Sequence, residues 1–179
     1  MAEEFIVQYS VQSNPSYTTN MALFTDVTNS SELRQLIIQG KIEAALLNAS
    51  MIIDPFHVAI AGHKALQLFQ QGKMKTKTLH SEIVFNLSPS TNINESFKKF
   101  GILDSTTSVL VVIVTQENAN KKISEISKFI NGEQVSITAL STISDQEKIK
   151  KIYGISDEEL QCSSLQDGVI TRVATKDAA

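Results

Sequence analysis

The chain has 179 residues, is 42% hydrophobic and 20% charged, and carries 16 Lys and Arg against 19 Asp and Glu, for a formal charge of −3. That length suits one domain able to bury roughly two-thirds of its unfolded surface, and the composition excludes a disordered or fibrous chain. A single cysteine, Cys162, excludes an internal disulfide framework and a multi-cysteine zinc site, and the longest apolar run, Val109–Val114, is far short of the ~20 residues a bilayer requires.

Glu4–Val11 alternates loosely and predicts a first strand; Met21–Val27 predicts a second. Asn29 and Glu32 have capping-box spacing ahead of a helix carrying Leu33, Leu36 and Ile37, with Gly40 as its stop. Glu43–Asn48 is apolar, short and ambiguous. Asp54-Pro55 is the clearest start signal, because Asp54 can accept from orphan amides and Pro55 loses nothing at the first helical position. The helix it opens runs to Gly72, a suitable left-handed cap. Beyond it Lys73, Lys75 and Lys77 alternate with Met74, Thr76 and Thr78 in a basic loop.

Leu79–Leu87 is ambiguous between helix and strand, with helix favoured, and is ended by Pro89; Asn92–Lys99 reads as a short helix with Gly101 as its C-cap. Ser108–Thr115 is β-branched and apolar on both faces, which predicts a central strand. An amphipathic helix over Asn118–Ile130 and a further strand over Gln134–Leu140 follow. Ser144/Glu147 and Ser156/Glu159 are two more capping-box spacings, the first opening a helix that ends at Gly154. The last helix, Ser164–Thr175, carries Leu165, Val169 and Val173 at four-residue steps, with Ile170 beside them. The expected architecture is a mixed α/β single domain over 1–179, with a small, mostly antiparallel sheet flanked by many helices.

Charge is unevenly placed: residues 1–54 sum to −4, 55–99 to +4 and 100–179 to −3. No carboxylate occurs from Pro55 to Ser81, a window holding Lys64, Lys73, Lys75, Lys77 and the histidines His57, His63 and His80. Such a window can present a positive patch to an anion such as nucleic acid; a solvated helix end and loop read the same way. Four lysines are too few for strong non-specific DNA binding.

Catalytic signals are thin. There is no phosphate-binding glycine loop and no nucleophile elbow. His57 and His63 are six apart, about 240° around a helix, a poor metal pair. Cys162 follows Asp157-Glu158-Glu159, which disfavours a thiolate, so a buried or inert thiol is expected. No catalytic residue, cofactor or metal is expected. A small-molecule enzyme whose site forms only in three dimensions is the alternative, and a deep pocket with a His beside a carboxylate would favour it.

Asp54-Pro55-Phe56, Lys64-Ala65-Leu66, the run from Gly72 to Pro89, Asn92-Ile93 and Lys98-Lys99-Phe100-Gly101-Ile102 together resemble the Cgi-type subunit of the KEOPS (EKC) complex, the PRPK-binding protein family. Lys150-Lys151-Ile152-Tyr153 and Arg172–Asp177 agree with that family's end, and His63 stands where an Asn is expected. The resemblance implies a non-catalytic subunit that docks on and stimulates a small atypical kinase/ATPase. The complex carries a threonylcarbamoyl group to the adenosine beside the tRNA anticodon, and some relatives grip the single-stranded CCA end. On that reading Lys64, Lys73, Lys75 and Lys77 are candidates for RNA phosphates. Asn86, Ser88 and Asn92 are candidates for base edges, and the amides opening the 92–99 helix for a phosphate. Leu165, Val169, Ile170 and Val173, rimmed by Arg172 and Lys176, are candidates for the kinase contact. The acidic start Met1–Glu4 lacks the basic region of a signal peptide, so an intracellular chain is expected; with the resemblance, the expected locations are cytoplasm and nucleus, with no membrane partner.

Overall fold

Val109–Thr115 forms the strand on which the rest of the molecule is assembled, and every residue of it is buried. The computed structural model describes residues 5–176; the acidic Met1–Glu4 start, including the Glu4 end of the expected first strand, and Asp177 lie outside the described residues. The sheet contains β1 (Ile6–Ser10), β2 (Thr18–Thr25), β3 (Ala45–Asn48), β4 (Val109–Thr115) and β5 (Glu133–Val135). Its order is β1-β2-β4-β3, every pairing is antiparallel, and β5 pairs with the end of β2 over Leu23–Thr25.

Both faces are covered, which is why β4 is apolar without alternation. Leu110, Val112 and Val114 belong to the larger core, with Met21, Leu23 and Leu47. Val109, Val111 and Ile113 belong to the second, with Ala22, Phe24 and Leu46. The second face is closed by α1 (Ser30–Ile38) through Leu33 and by α5 (Ala119–Ser127) through Ile123 and Ile126. The first is closed by α2 (Pro55–Gln71), α3 (Leu79–Leu87), α4 (Ile93–Phe100), α6 (Leu140–Ile143), α7 (Gln146–Tyr153) and α9 (Leu165–Thr175), with α8 (Asp157–Cys162) between the last two. Among the described residues no helix is long and apolar enough to cross a membrane.

Local signals hold where their partners are local. Asp54 accepts the Phe56 amide at 2.8 Å, Pro55 opens α2, and Gly72 closes it at φ 67°. Gly154 closes α7 in the same left-handed conformation, at φ 65°. Gly101 differs: its φ of −75° is not left-handed, and glycine is needed because a Cβ would stand 2.7 Å from the Phe97 carbonyl oxygen.

Three expectations are corrected. Asn29 stands at the N-cap of α1 but makes no cap bond. Its Oδ1 accepts the Asn131 amide at 3.0 Å and its Nδ2 donates to the Phe129 carbonyl at 2.8 Å, so it ties α1 to the turn after α5. Asp145, not Ser144, caps α7, because the Ser144 hydroxyl is spent on the carbonyls of Ile52 and Leu140. The expected 134–140 strand stops at Val135 and turns into a 3-10 segment over Ile137–Ala139, capped by Ser136. The ambiguous 43–48 segment resolves as β3.

Candidate functional site

The basic loop joins α2 to α3, and Lys73, Lys75 and Lys77 are all exposed on it. It has no helix or strand of its own over 73–78. Thr78 caps α3 by accepting the Ser81 amide at 3.1 Å, and Ser81 reciprocates with the Thr78 amide. The residue that organises the loop is Glu82, the first carboxylate after the acid-free window. Its side chain is fully buried and accepts from the Thr76 amide at 2.8 Å, the Thr76 hydroxyl at 2.7 Å and the Lys75 amide at 3.0 Å. The window therefore ends on an anion turned inward onto backbone donors, away from solvent. Its position at the edge of the acid-free window was a readable signal, but a solvated helix-start glutamate reads identically in sequence.

The other expected RNA contacts lie elsewhere. Lys64 donates its ammonium to the Val173 carbonyl at 2.9 Å, at the C-terminal end of α9. Asn86 is fully buried: its Nδ2 donates to the Ala61 carbonyl at 3.4 Å and its Oδ1 has no partner among the described residues. Ser88 is 2% exposed and its hydroxyl accepts the Ser90 amide. Asn86 and Ser88 are thus interior groups, not displayed ones. Asn92 is exposed but spent as the cap of α4, accepting the Glu95 amide at 3.1 Å. Of the α4 amides considered for a phosphate, that of Glu95 is taken by this cap, and the Glu95 carboxylate accepts the Ser90 hydroxyl beside it. The nine-residue α3, about 13 Å long, lies in the chain between the loop lysines and the Ser88–Asn92 turn.

His57 and His80 add nothing to the positive patch at neutral pH. His57 is fully buried and its Nε2 accepts the Ile53 amide at 3.1 Å; burial pushes its pKa down to about 3. His80 accepts the Val114 amide at 3.2 Å, and burial, helped by the Lys122 ammonium, lowers its pKa to about 4. Each ring must be neutral to accept its amide. Above the unfolded value near 6.5 neither costs stability; as pH falls below it, the unfolded chain takes up protons that the native rings refuse. Stability therefore falls with pH through the window from about 6.5 to 4, by about 1.4 kcal/mol per pH unit for each histidine. Urea titrations across that window should show a slope smaller by that amount in His80→Gln, whose Oε1 can replace the accepting Nε2. Equal slopes would contradict the assignment.

At the other end of the chain, the apolar stripe is divided. Val169 (0% exposed) and Val173 (1%) pack inside the larger core, so both are corrected from interface to interior. Leu165 and Ile170 are half-buried. Arg172 clamps Glu159 through two nitrogens, both at 2.8 Å, holding α9 to α8 and keeping the Glu159 carboxyl below its usual range. The Lys176 ammonium sits 3.6 Å above the centre of the Phe85 ring and donates to the Phe85 carbonyl. The Tyr153 hydroxyl takes the neighbouring Leu87 carbonyl. The last carbonyls of α3 are thus satisfied by α9 and α7, which welds the basic loop's support to the C-terminal helices.

Two concavities among the described residues bear on the alternative enzyme reading, and neither sets a histidine beside a carboxylate. A groove of about 280 Å³ between β1 and α2 is lined by His63, Tyr9, Phe56 and Ile60 but by no carboxylate. A shallow concavity along α7 has Asp145, Glu147 and three lysines but no histidine. Among the described residues no group of three or more His, Cys, Asp or Glu is placed to hold a metal. Cys162 is exposed, not buried.

What the geometry defines is a three-layer α/β domain with helices tied end to side and one exposed cationic loop held out from them. Comparison with known proteins agrees. Residues 24–177 match the family described as kinase binding protein CGI-121. The chain is 45% identical over 163 residues to the EKC/KEOPS complex subunit TPRKB of Danio rerio, covering 91% of this chain and 93% of that protein. It is 42% identical over 141 residues to the EKC/KEOPS complex subunit cgi121 of Aspergillus fumigatus (75% of each chain). It is 30% identical over 149 residues to the subunit CGI121 of Kluyveromyces lactis (82% and 93%). The chain belongs to the CGI-121 family, which is described by a binding role and not by a reaction.

Proposed function

We propose that this chain is the kinase-binding, non-catalytic subunit of an EKC/KEOPS complex. It docks on the small kinase/ATPase subunit and supports threonylcarbamoyl transfer to the adenosine beside the tRNA anticodon, gripping the single-stranded CCA end with the loop 73–78. Cytoplasm and nucleus are the compartments that suit this role. The family match over 24–177, with relatives named as subunits of that complex, carries the assembly. Three exposed ammonium groups on one loop, with the nearest carboxylate buried, carry the RNA contact. For the kinase, the outer flank of α9 is proposed, with the half-buried Ile170 as its apolar centre. Mixing the purified chain with the kinase subunit tests the assembly. The two are expected to co-elute from a sizing column, and separate elution at micromolar concentration would overturn it.

A further inference from the structure

Fixing a loop residue costs about 1–2 kcal/mol of backbone entropy, and solvated lysine side chains cannot supply it. In the segment 73–78 the restraint comes from Glu82. Its two oxygens lie 3.0 and 3.1 Å from the Lys75 amide, one of them also 2.8 Å from the Thr76 amide and 2.7 Å from the Thr76 hydroxyl. Ser81 adds a bond from its hydroxyl to Thr76 Oγ1 at 3.0 Å. Successive amides aimed at one anion form a concavity of the kind that elsewhere cradles phosphate. Here the anion is the chain's own, covalently fixed one turn into α3. The peptide between Lys75 and Thr76 is thereby pinned to a helix, while the side chains of Lys73, Lys75 and Lys77 face solvent.

We infer that Glu82 is a positioning residue for RNA: its buried carboxylate holds the loop in the shape that spaces the three ammonium groups for successive phosphates. This rests on the reading of the loop as the RNA grip. Electrostatics and positioning predict opposite signs. If the lysines act only as a diffuse positive field, removing a nearby negative charge strengthens RNA binding. If Glu82 sets their spacing, removing its charge weakens binding, because an amide at that site turns donors toward donors.

The test is Glu82→Gln in the full chain, titrated with a tRNA transcript ending in CCA at several salt concentrations. Affinity should fall about tenfold. The salt dependence should become shallower by about 0.7 in log–log slope for each phosphate no longer engaged. Hydrogen exchange should show the Lys75 and Thr76 amides deprotected, with co-elution with the kinase unchanged. Binding as tight as the parent's, or tighter, overturns the inference. Should Glu82→Gln fail to fold, Thr76→Val removes one donor to the same carboxylate: about threefold weaker binding supports the inference, unchanged binding overturns it. Loss of binding on reversing the three lysines, together with full binding by Glu82→Gln, refutes the positioning role alone. Full binding after reversing the lysines refutes the RNA grip itself, and the positioning role with it.

Discussion

Replacing Lys73, Lys75 and Lys77 together with Glu abolishes tRNA binding in a gel-shift titration and leaves the fold intact. The three side chains are exposed, and exposed substitutions away from caps and networks rarely move stability by more than about 0.5 kcal/mol. The Lys75 amide that Glu82 holds belongs to the backbone and survives the change. Three charge-assisted contacts at about 1 kcal/mol each amount to roughly a hundredfold in affinity, before the repulsion introduced by three carboxylates is added. A melting temperature within a few degrees of the parent's, with no shifted band at tRNA concentrations that saturate the parent, is the expected pair of results. Undiminished affinity would remove the loop from the RNA contact.

The split between what was legible and what was not follows the distance over which each signal acts. Asp54, Pro55 and Gly72 each act on amides or torsions within a turn of themselves, so the whole of α2 was readable to the residue. The β4 strand was readable because burial on both faces leaves one unbroken apolar run. Asn29 has the right type and spacing for a cap but is claimed by the chain around Phe129, a partner 100 residues away that no local pattern announces. Asn86 shows the same limit in the site. A polar residue on a helix next to a turn reads as displayed, yet the packing of α3 on α2 puts it inside, against Ala61. Lys64 and Lys176 read as a basic patch and a charged rim, and both are engaged on carbonyls at the ends of other helices. Periodicity finds a helix face; it does not say whether solvent, a core or a partner lies opposite it.

That ambiguity sets the second large effect. Val169→Glu should unfold the protein, whereas Ile170→Glu should leave it folded and weaken its hold on the kinase. Val169 is fully buried in the larger core, so a carboxylate there must either stay charged without water or take up a proton. Either course, together with the forfeited packing of the valine, costs about 4 kcal/mol or more, a large part of the stability of a domain of this size. The melting temperature should fall by roughly 10 °C or more. One residue further on, Ile170 is half-buried and its substitution reaches water. Differential scanning fluorimetry of the two variants, followed by co-elution with the kinase subunit, separates the cases. A Val169→Glu protein that melts like its parent yet loses the kinase would return the buried stripe to the interface. An Ile170→Glu protein that melts and co-elutes like its parent would place kinase docking on a different face, because the outer flank of α9 would then have given up its apolar centre with no effect on the partner.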